Sequence, residues 1–199
     1  MSSQARVLVI ASGNKGKIRE FQGLLSSFPL RVEAQPEGLD VEETGETFQA
    51  NARIKAQAVA RLTGHWALAD DSGLSVTALQ GAPGVQSARY APSDPERIAK
   101  LLNALSGETN RSAHFCAALC IADPSGQPLV EVEGRCEGRI TTEPRGEAGF
   151  GYDPIFEVLG TNRTFAEMDI QEKKRLGHRG RAFALLEPNL LEVLSVTGQ

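Results

Sequence analysis

The sequence predicts an α/β fold, a mixed sheet with flanking helices. Three observations carry that prediction. Arg6 to Ala11 is a continuous apolar run that leads at once into residues at helical spacing. Apolar runs and helix-spaced segments keep alternating over the first half of the chain. The period then changes, and two long strand-like runs from Ala113 onward are separated by a strong turn signal.

The elements follow in order. The Met1 to Ile10 stretch has no cleavage pattern and flows into Asn14-Lys15-Gly16-Lys17, so it is read as a first strand rather than a signal peptide. Ile18, Phe21, Leu24, Leu25 and Phe28 define the apolar stripe of a first helix. A second helix spans Thr47 to Leu62, with Phe48, Ala52, Ala56 and Val59 on one stripe and Gly64 to end it. Trp66 to Asp70 reads as a short strand ending in carboxylates. Pro95 to Leu105 reads as a third helix, capped by Ser93 or Asp94 and followed by Gly107. Ala113 to Ala122 and Leu129 to Ile140 form an antiparallel pair about the turn Asp123-Pro124-Ser125-Gly126. A last helix starts near Ile170 and meets Pro188, which should kink or end it.

Composition narrows the function classes. The chain has 199 residues, suited to one domain covering 1–199 and long enough to be built as two lobes. A chain of this length buries roughly 70% of its unfolded surface. Hydrophobic residues make up 41% and charged residues 23%, and no run approaches a membrane helix. A net charge of −4 disfavours general nucleic-acid binding, so a polyanionic ligand would need local clusters of Lys and Arg. Cys116, Cys120 and Cys136 have no disulfide-framework spacing, which points to a reducing, cytoplasmic setting. Cys116 and Cys120 with His114 offer a zinc reading; buried small hydrophobes are the competing one.

Five segments have the chemistry of a site. Ser12-Gly13-Asn14-Lys15-Gly16-Lys17 lies between a strand and a helix start, where backbone N–H groups favour phosphate. It is not a Walker A loop, since Ile18 stands where a magnesium-binding Ser or Thr would follow the lysine; an ordinary turn with surface lysines is the alternative. Glu42-Glu43-Thr44-Gly45-Glu46 precedes a helix and serves either its dipole or a magnesium ion. Asp70-Asp71 places two carboxylates together, with Ser72-Gly73 read as a tight polar turn; Asp71 is the candidate facing a site, and a solvated capping loop is the alternative. Gly149-Phe150-Gly151-Tyr152-Asp153-Pro154 suits a stacking platform for a base, or a packed turn. Lys173, Lys174, Arg175, Arg179 and Arg181 crowd around His178, as a solvated helix face or as donors to a substrate oxygen.

Taken together and in this order, these segments resemble the inosine triphosphate pyrophosphatase family, from Val7 to about Leu186. Ser12-Gly13-Asn14 with Lys17, Glu42-Glu43-Thr44-Gly45 with Phe48 and Asn51-Ala52, Asp70-Asp71-Ser72-Gly73-Leu74, Gly81-Ala82-Pro83-Gly84, Ser87-Ala88-Arg89-Tyr90, Phe150-Gly151-Tyr152-Asp153-Pro154 and His178-Arg179-Gly180 carry the resemblance. One departure is Gly177, where many members have Ser. The resemblance implies a two-lobed α/β fold enclosing a deep cleft, a homodimer, and hydrolysis of inosine, deoxyinosine and xanthosine triphosphates to monophosphate and pyrophosphate. It implies that Ser12, Gly13, Asn14, Lys15, Gly16, Lys17 and Lys173 hold phosphates. Glu42 and Asp71 would hold magnesium, with Asp71 also activating water. Ser72 would contact substrate, and Phe150, Gly151, Tyr152, Asp153, His178 and Arg179 the base. Neither nucleic acid nor membrane is an expected partner. A nucleotide sensor without turnover and a kinase or general NTPase are the other classes weighed.

Overall fold

The computed structural model describes residues 6–196. Residues 1–5 of the Met1 to Ile10 run lie outside them. In chain order the elements are β1 (Arg6–Ala11), α1 (Lys15–Leu24), β2 (Leu30–Ala34), α2 (Phe48–Thr63), β3 (Trp66–Val76), α3 (Asp94–Ala104), β4 (Ser112–Ala122), β5 (Pro128–Ile140), β6 (Phe156–Val158), α4 (Ile170–Leu176) and α5 (His178–Val196). The strands form one mixed six-stranded sheet in the order β2-β1-β3-β4-β5-β6. β1 runs parallel to β2 and β3, with Leu8 opposite Trp66 and Ala11 opposite Ala69, whereas β6 is antiparallel to β5. The β4–β5 hairpin is closed at its turn by Asp123 N–H to Gln127 O, and at its far end Ile140 N–H meets Arg111 O, so this pair is antiparallel as expected. Among the described residues no helix is long and apolar enough to cross a membrane.

The chain divides into two compact units. The first holds residues 6–71, 118–133 and 182–196. Its core includes a seam of small side chains: Ala52, Ala56, Val59 and Ala60 of α2 against Val9, Ala11, Ala67, Ala69, Ala118, Cys120 and Ala122 of the strands. Leu8 and Ile10 point to the other face of β1 by strand alternation and are also buried. Phe28, just past α1, meets Phe183 of α5 edge-on at 5.9 Å. The second unit holds residues 72–117 and 134–181. Its core is bulkier, with Leu74, Leu101, Leu105, Phe115, Ile140, Tyr152, Phe156 and Phe165. Fully burying one such side chain contributes about 2 kcal/mol relative to leaving it exposed.

Helix ends obey local chemistry. Thr47 caps α2 by accepting from Ala50 N–H, and Gly64 closes it in the left-handed conformation at φ 67°. Ser93, not Asp94, caps α3.

Four sequence expectations are corrected or extended. β2 and β6 were not anticipated; each is short and lacks a clean alternating pattern. β3 does not stop at Asp70, and Ser72-Gly73 is strand rather than turn. The ladder finds partners beyond the acids, because Leu74 N–H donates to Ser87 Oγ and Val76 N–H to Ala82 O. The final helical stretch breaks at Gly177 rather than at Pro188. Gly177 closes α4 by donating to Lys173 O and then turns extended, at ψ 159°. Pro188 sits exposed inside α5, which runs on to Val196.

α4 and α5 approach closely at Gly180, where a Cβ would overlap the Lys174 carbonyl carbon and oxygen. Gly180→Ala is therefore expected to destabilise the protein by about 2 kcal/mol, as a backbone clash with no flexible group to yield. Urea unfolding measures it; an unchanged midpoint would show that the two helices separate freely.

Candidate active site

The first unit carries a cluster of charges around the end of its β3 segment. Asn51, buried near the start of α2, accepts the Gly45 N–H at 2.7 Å and so lays the acidic segment along that helix. A Cβ on Gly45 would collide with Ala50 and Asn51, so only glycine permits this approach. Glu43 is thereby brought to Lys55, one turn further along α2. The Lys55 ammonium lies 2.6 Å from Glu43 Oε1, 2.9 Å from the Asp70 carbonyl and 3.4 Å from Asp71 Oδ1. A second cation, Lys17 at the start of α1, pairs with Asp70 Oδ2 at 2.9 Å.

Burial dominates the electrostatics. It pulls Lys55 downward, but the Asp71 and Glu43 carboxylates outweigh it and hold the ammonium above its ordinary value. Burial pushes Asp71 up, Lys55 and Lys17 oppose it, and the neighbouring Glu43 and Asp70 charges add to it; the carboxyl ends above its ordinary value. Asp71 Oδ2 is buried and has no hydrogen-bond partner among the described residues.

The phosphate-loop candidate is organised differently from the expectation. Asn14 Oδ1 caps α1, accepting from Gly16 N–H at 2.8 Å and Lys17 N–H at 3.1 Å, so two of the helix-start donors are already engaged. Ser12 Oγ accepts from Asn14 N–H. Gly13 and Lys15 are exposed and Gly16 is half-buried. Glu42 is exposed and outside the charge cluster; its neighbour Glu43 is the one inside it.

The second unit gathers the other candidates. Arg179 Nη2 donates to Ser72 Oγ at 2.7 Å, and its guanidinium lies 5.3 Å from the Phe150 ring centre. Lys173 Nζ lies 5.6 Å from the same ring and is paired with Asp153 Oδ2 at 2.9 Å. Lys173, expected on phosphate, is thus grouped with the aromatic segment. Asp153 Oδ2 also accepts the Phe150 N–H at 3.0 Å. His178 is buried and stacked on Phe115, 4.7 Å between centroids at 11°. Tyr152 belongs to the core; burial raises its phenol strongly, and the hydroxyl donates to Ser87 O at 2.8 Å. Phe150 is half-buried and Gly151 adopts φ 62°. Lys174, Arg175 and Arg181 are exposed, the solvated-face reading of that run.

Lys55 is the group that sequence reasoning missed. Its signal was present: position 55 falls on the same helical stripe as Phe48, Ala52, Ala56 and Val59, where a charge is out of place. The zinc reading of the cysteines does not fit their setting. All three are buried thiols, the setting of small hydrophobes, and burial pushes Cys120 up to about 12 and Cys136 up to about 11.

A raised folded-state pKa means that Asp71 binds its proton more tightly folded than unfolded. Its contribution to stability is full below the ordinary aspartate value of about 4 and is lost as pH rises through the folded value. Asp71→Asn should therefore melt at a higher temperature than the parent at pH 7, with the gap closing as pH falls toward about 4. Melting curves across pH check this; a variant less stable at pH 7 would refute the electrostatic account.

The sequence matches the Ham1 family over residues 8–189. It is 72% identical over 190 residues to a dITP/XTP pyrophosphatase of Parasynechococcus marenigrum, covering 96% of this chain and 97% of the relative. It is 48% identical to one from Nostoc, covering 98% and 99%. Among solved structures, a HAM1 protein from Coxiella burnetii superposes with a TM-score of 0.85 at 45% identity, covering 94% of this chain and 99% of that one. The Staphylococcus aureus Ham1 protein gives 0.82 at 40% identity, with the same coverage. With both segments of the charge cluster and the aromatic segment inside the matched region, the chain belongs to the Ham1 family.

Proposed function

We propose that this chain hydrolyses the triphosphates of deaminated purines, inosine, deoxyinosine and xanthosine, to the monophosphate and pyrophosphate. Relatives named dITP/XTP pyrophosphatase at high identity over almost the whole length support the activity. The observation that carries it is the Asp71 carboxylate: buried, raised above its ordinary value, and with Oδ2 unpartnered among the described residues. A carboxylate shifted upward is better matched to accept a proton near neutrality than an ordinary aspartate.

Magnesium fits these residues. It needs only one or two carboxylates besides substrate phosphate and water, and hard oxygen donors are what Asp71, Asp70 and Glu43 supply. Asp71 through Oδ2, with Glu43 or Asp70, would hold it; Glu42, exposed and apart, suits this less. When bound, magnesium supplies charge neutralisation on the triphosphate oxygens. In the chain's own part of the reaction, Asp71 orients a water molecule and takes its proton as the oxygen attacks the α-phosphorus. The α–β anhydride bond breaks, and the pyrophosphate leaves with its charge met by the Lys17 and Lys55 ammoniums. Positioning and charge do most of the work, as in other phosphoryl transfers.

Base choice falls to the second unit. Phe150 offers a ring to stack on, and Arg179 and His178 offer N–H donors to a 6-oxygen. Adenine presents an amino group there, so donor faces donor and ATP is refused. Homodimeric assembly, implied by the resemblance, and a cytoplasmic location, inferred from the cysteine usage, complete the proposal.

Product analysis tests the reaction. With magnesium, inosine and xanthosine triphosphates should yield monophosphate and pyrophosphate, with little product from ATP; diphosphate and phosphate would move the attack to the γ-phosphorus and overturn the mechanism. Asp71→Asn should lower turnover by about a hundredfold or more at saturating magnesium. Near-parental turnover would remove Asp71 from its role. Arg179→Ala should cut the preference for inosine triphosphate over ATP by about tenfold, and an unchanged ratio would take Arg179 out of base selection.

A further inference from the structure

Phe150 lies between two glycines that give its backbone little steric restraint. Gly149 and Gly151 both adopt positive φ, at 84° and 62°, and a Cβ on Gly151 would meet open space. Hydrogen bonds must supply what sterics do not. The peptide plane before the Phe150 Cα is held by its own N–H, donated to Asp153 Oδ2 at 3.0 Å. The plane after it is held by the Gly151 N–H, donated to Asp94 Oδ2 at 2.8 Å. Fixing both planes fixes both backbone torsions of Phe150, and with them the direction in which its ring leaves the chain.

Asp94 is built for that task. It is the first residue of α3, but Ser93 is the cap, so the helix start does not require the Asp94 carboxylate. Its other oxygen accepts Arg97 Nη1 at 2.5 Å, and Arg97 Nε donates to the Ala91 carbonyl at 2.9 Å, which fastens the acid in place. The segment just before α3 supports the same loop, since Ser87 O receives the Tyr152 hydroxyl and Ser87 Oγ accepts the Leu74 N–H of β3.

We propose that Asp94 is a positioning residue for base recognition, clamping the peptide plane between Phe150 and Gly151 so that the Phe150 ring presents the right face to a purine. This rests on reading Phe150 as the base platform. A charge-assisted bond to a backbone amide is among the stronger kinds, so its loss is felt in binding. Asp94 acts through the Gly151 amide and on none of the reacting atoms, so the loss appears in KM rather than in kcat.

The experiment compares Asp94→Ala, Arg97→Leu and the double variant Asp94→Asn/Arg97→Leu by steady-state kinetics on inosine triphosphate and ATP, and by hydrogen exchange at the Gly151 amide. Asp94→Ala should raise KM for inosine triphosphate by about tenfold with kcat within about threefold, and narrow the inosine-to-adenosine preference. Exchange at Gly151 should speed up in parallel. The double variant keeps an acceptor oxygen without the competing guanidinium, so its KM and Gly151 exchange should return close to those of Arg97→Leu alone. Faster exchange with parental KM and parental base preference would make Asp94 a loop anchor only and overturn the proposal, as would unchanged exchange, or a double variant no better than Asp94→Ala. Should Asp94→Ala not fold, the double variant against Arg97→Leu decides it: a raised KM with slowed Gly151 exchange in the double variant overturns the clamp. Phe150→Ala separates the two readings: an unchanged KM there sinks the base platform itself, while Gly151 exchange still reports whether Asp94 holds the loop.

Discussion

A lysine ammonium in a poorly hydrated place is costly, and Lys55 is tolerated only because three oxygens surround it. The rest of the first unit's chemistry is arranged by that requirement. Glu43 must be brought in, so Asn51 holds the Gly45 backbone against α2. The end of the buried β3 segment must present a carbonyl and a carboxylate, so Asp70 and Asp71 lie where that strand leaves the alanine seam. Two adjacent acids would repel one another; Lys17 answers one and Lys55 the other. Each charge is explained by another, and none of the five side chains has its present setting without the rest.

The same arrangement leaves Asp71 under tension. Burial and two neighbouring acids favour its neutral form, while the lysines favour the charged one, and the first group prevails. A group held this way is poor at stabilising a fold and well matched to exchanging a proton or meeting a cation. Local cost at a chemically active residue is tolerable when the surrounding core over-determines the backbone. The small-residue packing of α2 on β1 and β3 does that here.

Much of this was legible in the chain, and the failures have physical causes. β1, α2, α3 and the β4–β5 hairpin were readable because long periodic runs ended in strong punctuation, such as Gly64 or the Asp123-Pro124-Ser125-Gly126 turn. β2 and β6 were not, because three to five residues carry too little pattern and owe their state to the neighbour they pair with. The strand past Asp70 was misread because Ser-Gly is a turn signal only when no partner waits; Ser87 Oγ is that partner, and it comes from a segment thirteen residues away. Within the site, the segments were legible but not the choice inside them. Glu42 and Glu43 are equivalent in a list of residues, and only the reach of Lys55 from a helix face distinguishes them. Tyr152 and Phe150 likewise share one motif, yet one is a pillar of the core and the other is half-open.

The alanine seam has a consequence beyond packing. Alanines at positions 52, 56 and 60 let α2 lie close on strands that themselves present alanine at 67, 69, 118 and 122. The thickness of that layer fixes how far the Lys55 stem must extend to reach β3. These side chains act as a ruler for a distance measured elsewhere, although none of them carries a group that touches a ligand. Widening the layer by a methyl or two would draw the ammonium back from its oxygens before it unfolded the protein. Sequence drift in this seam is therefore constrained by chemistry as much as by stability, and its uniform smallness is a specification of length.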